Sequence, residues 1–404
     1  MKVTRDKTEV ASGICADVKH VCKTFGCRNA GSDGERQAAE FFADRLSICA
    51  DSVDMQEFEV HPNAHTGWIA VSVTCILLGI SAYFFSTMVA LLLFIVGAIP
   101  VIFQYILNKR MLDPLYKAQT SQNVTALKKC SGEVKRRLYF VANMDACFED
   151  SIKYRLGGVM QIATLVLDAI GVIYFAVLSI ARWTTVGGVG ASIAEGWALY
   201  AGLAGLAFVF PIFTSYFVKS TKTVIDGANG NLSGCFVAES VLSSLQDVQL
   251  ENTEVGVILT GSGAVGLRGA MAWCEANGNK IDKQNTLFVS LSTLRELGSL
   301  NVNTSELSGS VRNDSKAVDL VLKAATDAGV KCSSGSIPFG ATDSAVFSAN
   351  GFKSVGIVAI NRKLPDYYNT RYDSYDNMSE ECIAECYNLA MNIVEKIELL
   401  DDLN

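Results

Sequence analysis

The chain has 404 residues, of which 50% are apolar and only 19% charged, and its mean hydropathy is +0.27. Soluble proteins carry about 25% charged residues, so part of this surface is expected to face lipid, and the apolar content excludes a disordered chain. The net charge of −7, from 34 Lys and Arg against 41 Asp and Glu, argues against a nucleic-acid partner, because neutralising phosphates takes a clustered cationic excess.

Ser32-Asp-Gly-Glu35 reads as a capping box that opens a helix through AAEFFADRL. From Val60 to Asn108 there is no Asp, Glu, Lys or Arg. Trp68 to Leu107 within that run is long enough for two spans of about twenty residues each, with a break expected near Ser86-Thr87. Arg137–Ala142 (RLYFVA) is the first strand candidate. A second apolar pair follows, from Met160 to Ala181 and from Gly196 to Val218. Asp168 interrupts its first member. An ionisable group inside a span either marks function or sits at headgroup level or bonds a neighbouring helix. Beyond the spans, strands are predicted at Val255–Thr260, Thr286–Leu291 and Ser354–Ile360. Helices are predicted at Ser233–Leu245, Leu267–Ala276, Ser315–Ala328 and Ser379–Leu400.

The expected architecture is α/β: residues 1–66, 110–157 and 219–404 form one discontinuous domain, a mixed but mainly parallel sheet flanked by helices. Transmembrane hairpins at 67–109 and 158–218 interrupt it. Lys109, Arg110 and Lys117 follow the first hairpin, Lys153 and Arg155 precede the second, and Lys219 and Lys222 follow it. The opposite connections hold only Arg182 and Glu195. Flanking cations favour the cytoplasmic side, so a multi-pass cell-membrane protein with a cytoplasmic domain is expected. The twelve cysteines then read as reduced thiols rather than a disulfide framework.

Functional groups in an open α/β sheet gather at the carboxyl ends of its strands. Those ends carry Ala142-Asn-Met-Asp-Ala146, Gly227-Ala-Asn-Gly-Asn-Leu-Ser-Gly234, Gly261-Ser-Gly-Ala-Val-Gly-Leu-Arg-Gly269, Ser290-Leu-Ser-Thr293 and Tyr367-Tyr-Asn-Thr-Arg-Tyr-Asp-Ser-Tyr-Asp376. In these segments the chain resembles the co-catalytic di-zinc aminopeptidases, whose relatives include glutamate carboxypeptidase, the transferrin receptor, nicalin and glutaminyl cyclase. The resemblance runs in order through nearly all the non-hairpin sequence, from GSDGERQAAEFF to the last helix, and is similar to a membrane-embedded bacterial branch. In the family these segments read H-x-D, G-A-x-D-N-x-S-G, E-E before x-G-L-x-G, a strand ending in Asp, and Y-H-T-x-x-D.

Carried over by motif, the family's first histidine falls on Asn143 and its bridging aspartate on Gly230. The general-base glutamate falls on Gly263 and the neighbouring metal glutamate on Ala264. The next metal aspartate falls on Ser292 and the last histidine on Asn369. Two zinc ions about 3.5–4 Å apart need carboxylates and imidazoles, and amide or hydroxyl oxygens are poor zinc ligands. The resemblance therefore implies a zinc cofactor for the family, whereas the substituted residues lead to the expectation of none here and of a catalytically inactive domain. Asp145, Asn231, Ser233, Asp343 and Asp373 match retained polar positions around the cleft, each equally open to an ordinary structural role. Cys147, Cys235 and Cys274 are the thiols that could rebuild a metal site. The three histidines, His20, His61 and His65, all lie in the first sixth of the chain. The Arg295-Glu296 pair reads as a surface ion pair. The expected role is binding or scaffolding of a peptide or protein partner, with membrane lipid around the spans. The alternative is a zinc exopeptidase whose ligands are supplied otherwise or stood in a parent sequence, and a transporter is a third class resting on Asp168.

Overall fold

The structure, a computed structural model, describes residues 5–186 and 193–400. It divides into two compact units, one of residues 1–60, 118–148 and 223–404 and one of residues 61–117 and 149–222.

The larger unit is built on an eight-stranded sheet. In chain order its strands are β1 (Ser52–Val60), β2 (Gln119–Lys128), β3 (Arg136–Asn143), β4 (Thr253–Thr260), β5 (Thr286–Leu294), β6 (Leu300–Asn303), β7 (Ser333–Gly335) and β8 (Lys353–Ala359). Their order across the sheet is β1-β2-β4-β3-β5-β8-β6-β7. The central strands β4, β3, β5 and β8 are mutually parallel, while β2 runs antiparallel to both β4 and the edge strand β1, and β6 runs antiparallel to β8 and parallel to the edge strand β7. The mixed, mainly parallel sheet expected from the sequence is present. Every residue of β4 is buried, as follows for a strand covered on both faces. β1 lies at an edge and alternates half-buried Val53 and Phe58 with exposed Asp54, Glu57 and Glu59. Charges of this kind blunt an edge against strand addition.

Alternate residues of β3 feed two cores. Leu138, Phe140 and Ala142 pack beneath helices α1 (Lys7–Phe25), α2 (Asp33–Ser47), α3 (Ser233–Ser244) and the C-terminal helix Glu380–Glu398. Tyr139 and Val141 face the opposite layer with Trp273, Phe288, Phe347 and Phe352, where the Phe288 and Phe347 rings stack 4.1 Å apart. The four predicted strands and four predicted helices appear with ends shifted by no more than three residues. β1, β2, β6 and β7 were not predicted. Polar residues fill β1, and β7 has three residues, too few for a period to show.

Among the described residues, the smaller unit contains four helices long and apolar enough to cross a membrane: Ala64–Tyr83, Thr87–Ile106, Gly158–Thr185 and Gly196–Phe217. Ser86 is the N-cap of the second, at the expected break. Its last turns widen into a π-helical stretch, Val101–Ile106, just after Pro100, which lacks the amide a regular turn would use. The third helix extends to Val186, five residues beyond the expected end, because Arg182 turns inward. Its guanidinium is buried, donates to the Tyr83 carbonyl and lies 5.5 Å from the Tyr83 ring centroid. Asp168 accepts a hydrogen bond from the Ser215 hydroxyl of the fourth of these helices.

Candidate functional site

β3 ends at Asn143, and two residues later Asp145 is wholly buried. Its carboxylate collects three donors. Asn143 Nδ2 at 2.9 Å and the Gly263 amide at 2.8 Å reach Oδ1, and the Ala264 amide reaches Oδ2 at 3.0 Å. Burial raises the Asp145 carboxyl above the usual carboxylate range, and the three donors work against that rise. The side-chain amide of Asn231 reaches the Asp145 carbonyl at 2.6 Å. Asp145 thus ties the end of β3 to the loop after β4.

A second tie is made by Asp373. Its Oδ1 accepts from the Asn229 amide at 2.7 Å and from Asn229 Nδ2 at 3.0 Å, and its Oδ2 accepts from the Gly230 amide at 3.1 Å. Ser292 Oγ donates to the Gly230 carbonyl at 3.1 Å. Ser233 Oγ donates to the Asn229 carbonyl at 2.6 Å, closing the turn that leads into α3. Asn143, Gly263 and Ala264 thus share the Asp145 carboxylate, while Gly230 and Ser292 are bonded directly to each other. Asn369 lies four residues before Asp373 with φ +56°. Asp343 is buried just below the cleft, where its Oδ2 accepts from Thr260 Oγ1 at 2.7 Å. Burial pushes its carboxyl up to about 7. Asp168 belongs to the other unit.

The backbone around the cleft is strained. Ser262, Leu267 and Thr293 adopt positive φ, of 53°, 60° and 53°, which costs on the order of 1 kcal/mol or more for each non-glycine residue. Gly263 packs so closely that a Cβ there would lie 2.6 Å from Asn143 Cβ, and one on Gly230 would lie 2.9 Å from Asp373 Oδ2. A cavity beside Ser292, walled by Ile337, Phe339, Ile360 and Tyr368, holds about 20 Å³, room for a water rather than a side chain.

Several supporting residues were missed or misread from the sequence. Ser32 does cap α2, its Oγ accepting from the Glu35 amide at 3.2 Å. Glu35, however, sends its carboxylate to the Gly31 amide at 2.6 Å and across to the Ser262 amide at 2.6 Å. It is fully buried, and burial raises its carboxyl well above the ordinary range. Buried Glu306 likewise gathers Thr342 and Ser344. Arg28 Nε donates to the Met144 carbonyl at 3.2 Å. Arg295, read as half of an ion pair with Glu296, instead donates Nε–H to the Asn377 carbonyl at 3.0 Å and lies 4.5 Å from the Tyr367 ring centroid.

Comparison with known proteins follows from this geometry. Residues 215–394 match the model described as Peptidase family M28. Over these residues, a little under half of its length, the chain is similar to that family. The match spans Gly230, Gly263, Ala264, Ser292 and Asn369, and Asn143 lies outside it. Among solved structures, a zinc aminopeptidase from Bacillus subtilis superposes with a TM-score of 0.56 at 13% identity, covering 95% of this chain and 94% of that one. An aminopeptidase from Aneurinibacillus sp. strain AM-1 gives 0.57 at 12% identity, with 97% and 94% covered. The glutaminyl cyclase of Porphyromonas gingivalis gives 0.54 at 11% identity, with 95% and 97% covered. At these identities the likeness is one of fold. No curated protein sequence matches the chain.

The expectation of no cofactor is corrected by these findings, since the M28 match and the zinc aminopeptidase neighbour point to zinc as the metal of this relationship. Tested against a pair of zinc ions, however, the residues at the six motif positions offer two amides, a hydroxyl, a methyl and two bare glycines. Among the described residues no three His, Cys, Asp or Glu side chains gather as a donor set. Cys235 and Cys274 are buried in cores on opposite faces of the sheet, so these two thiols do not converge. The donors present at these positions do not fit the two ions.

Proposed function

We propose that this is a multi-pass membrane protein whose aminopeptidase-like domain binds a peptide or protein partner at the cleft instead of hydrolysing it. One observation carries the reading: the Asp145 carboxylate, which the motif would aim at a histidine, is spent on Asn143 and on the Gly263 and Ala264 amides. Family hydrolysis needs a group at the general-base position that can take a proton from water, and Gly263 has no side chain. In this reading Asn143, Gly230, Gly263, Ala264, Ser292 and Asn369 are vestiges of ligand and base positions. Asp145, Asn231, Ser233, Asp343 and Asp373 persist as the frame of the cleft.

The same proposal places the hairpins 67–109 and 158–218 in the cell membrane as insertions, with the domain on the cytoplasmic side as the flanking cations favour. The partners are lipid and a peptide or protein, and the net charge of −7 speaks against nucleic acid. A second reading, a zinc-dependent exopeptidase acting on peptide N-termini, is favoured by the M28 match itself.

The two separate in one experiment. Full-length protein purified in detergent is assayed on aminoacyl-arylamides with and without added zinc, and its zinc content is measured. The binding reading expects no turnover under either condition. Zinc-dependent turnover that a chelator removes would overturn it and establish the second reading.

A further inference from the structure

The smaller unit is electrically lopsided in a way that its sequence alone understates. The starts and ends of its spans meet at one end. Trp68 lies 4.9 Å from Tyr105 between ring centroids, the Tyr116 phenol packs over Gly67, and the Ser151 amide donates to the Val218 carbonyl at 2.9 Å. The Thr74 hydroxyl of the first helix lies 2.7 Å from the Tyr216 phenol oxygen of the fourth, which joins the two hairpins.

At this end the carboxylates are turned inward. Asp150 is buried and pairs with Lys153 at 2.8 Å and with Lys219. Asp113 and Glu149 are buried as well. Lys109, Lys117, Arg155 and Lys222 are exposed, and among the described residues of the smaller unit no exposed carboxylate accompanies them at this end; the exposed Glu59, opposite Thr120, belongs to the larger unit. The opposite end is marked by the Ala194 amide on the Phe84 carbonyl, at 2.9 Å, and by the Tyr83 hydroxyl on the Ala198 carbonyl, at 2.7 Å. There Arg182 is buried and Glu195 is exposed.

We infer that the cationic end is a collar that selects anionic phospholipid headgroups. Four exposed cations beside an aromatic pair at the apolar boundary match a phosphate-bearing headgroup layer in charge and in depth. With Asp113, Glu149 and Asp150 buried, the smaller unit's own carboxylates at this end do not offset that charge at its surface. Each cation near an anionic membrane surface strengthens the attraction several-fold, so four together give a preference that can be counted in bound lipids. This rests on the membrane reading proposed above.

The test uses full-length protein in mixed micelles holding equal phosphatidylglycerol and phosphatidylcholine, with retained lipids counted by native mass spectrometry. Retention should favour phosphatidylglycerol by about fivefold or more. The preference should disappear in the combined variant Lys109→Gln, Lys117→Gln, Arg155→Gln and Lys222→Gln. It should survive in a control carrying Lys280→Gln, Lys316→Gln, Lys323→Gln and Lys331→Gln, which removes the same charge from exposed positions of the larger unit. Equal retention of both lipids, or a preference unchanged in the collar variant, overturns the inference. Displacement by inorganic phosphate beyond that by chloride of equal ionic strength also overturns it, by making the free anion the ligand. Failure of the chain to enter phosphatidylcholine nanodiscs would instead sink the membrane reading, an outcome distinguishable from loss of lipid preference.

Discussion

Gly263 and Asn143 are fitted to each other: a methyl group at 263 would stand 2.6 Å from Asn143 Cβ, well inside contact distance. In the proposed reading both positions are vestiges of functional side chains, and the 263 backbone lies too close to Asn143 to accept a Cβ. Overpacking costs typically 1–3 kcal/mol. Gly263→Ala alone is therefore expected to lower stability by about that much, and Asn143→Gly in the same chain should recover part of the loss. Chemical denaturation of the two singles and the double reads the coupling. Additive effects, within about 0.5 kcal/mol, would mean that the two positions do not share the space.

Restoring all six motif positions is a stronger test of register. The variant combines Asn143→His, Gly230→Asp, Gly263→Glu, Ala264→Glu, Ser292→Asp and Asn369→His. It places new carboxylates near Asp373 and Asp145, and metal cations would neutralise that charge. Zinc at a hundredfold excess over its dissociation constant should then stabilise the fold by about 2.7 kcal/mol, read as a zinc-dependent rise in unfolding temperature. A variant that folds and shows no such rise would show that the six positions are wrongly aligned.

Asp343 carries a pH signature. Its carboxyl is raised by burial to about 7 from an ordinary 3.8, so the native state holds a proton there that the unfolded chain has lost. The stability it contributes is complete below about pH 4 and is lost as pH rises toward 7. Asp343→Asn keeps the acceptor for Thr260 Oγ1 and abolishes the titration. Unfolding temperatures from pH 4 to pH 8 should decline less in the variant than in the wild type. Parallel curves would place the Asp343 proton affinity in the ordinary range.

Cys27 is an exposed thiol of the larger unit, and it reports on sidedness. With Cys27 kept and the other cysteines replaced by Ala or Ser, a membrane-impermeant maleimide should label it in permeabilised cells and spare it in intact ones. Labelling of intact cells would reverse the proposed orientation.

What could be read along the chain was what repeats locally. Apolar runs of twenty residues announced the four long apolar helices, and short apolar runs announced β3, β4, β5 and β8. The glycine and asparagine motifs at strand ends declared the relationship that the M28 match bears out. Ser32 was legible as a helix cap because capping is decided within four residues. Glu35 was not, because its second partner, the Ser262 amide, is 227 residues away and no local pattern records that bond. Arg182 was counted among connecting charges by position, and only the packed helices turned it onto Tyr83.

Sequence by itself determined the long apolar helices, the central strands β3, β4, β5 and β8 and the residue types at their ends, since these follow from local periodicity and residue identity, whereas β1, β2, β6 and β7 left no such pattern. Tertiary structure decided where the surviving charges go. Asp145 and Asp373 became braces between loops, Asp150 and Arg182 were drawn inside, and Lys109, Lys117, Arg155 and Lys222 were left outside. The physical reason is that a buried charge is tolerable only with donors or a counter-charge at hydrogen-bond range, and such partners come from elements distant in the chain.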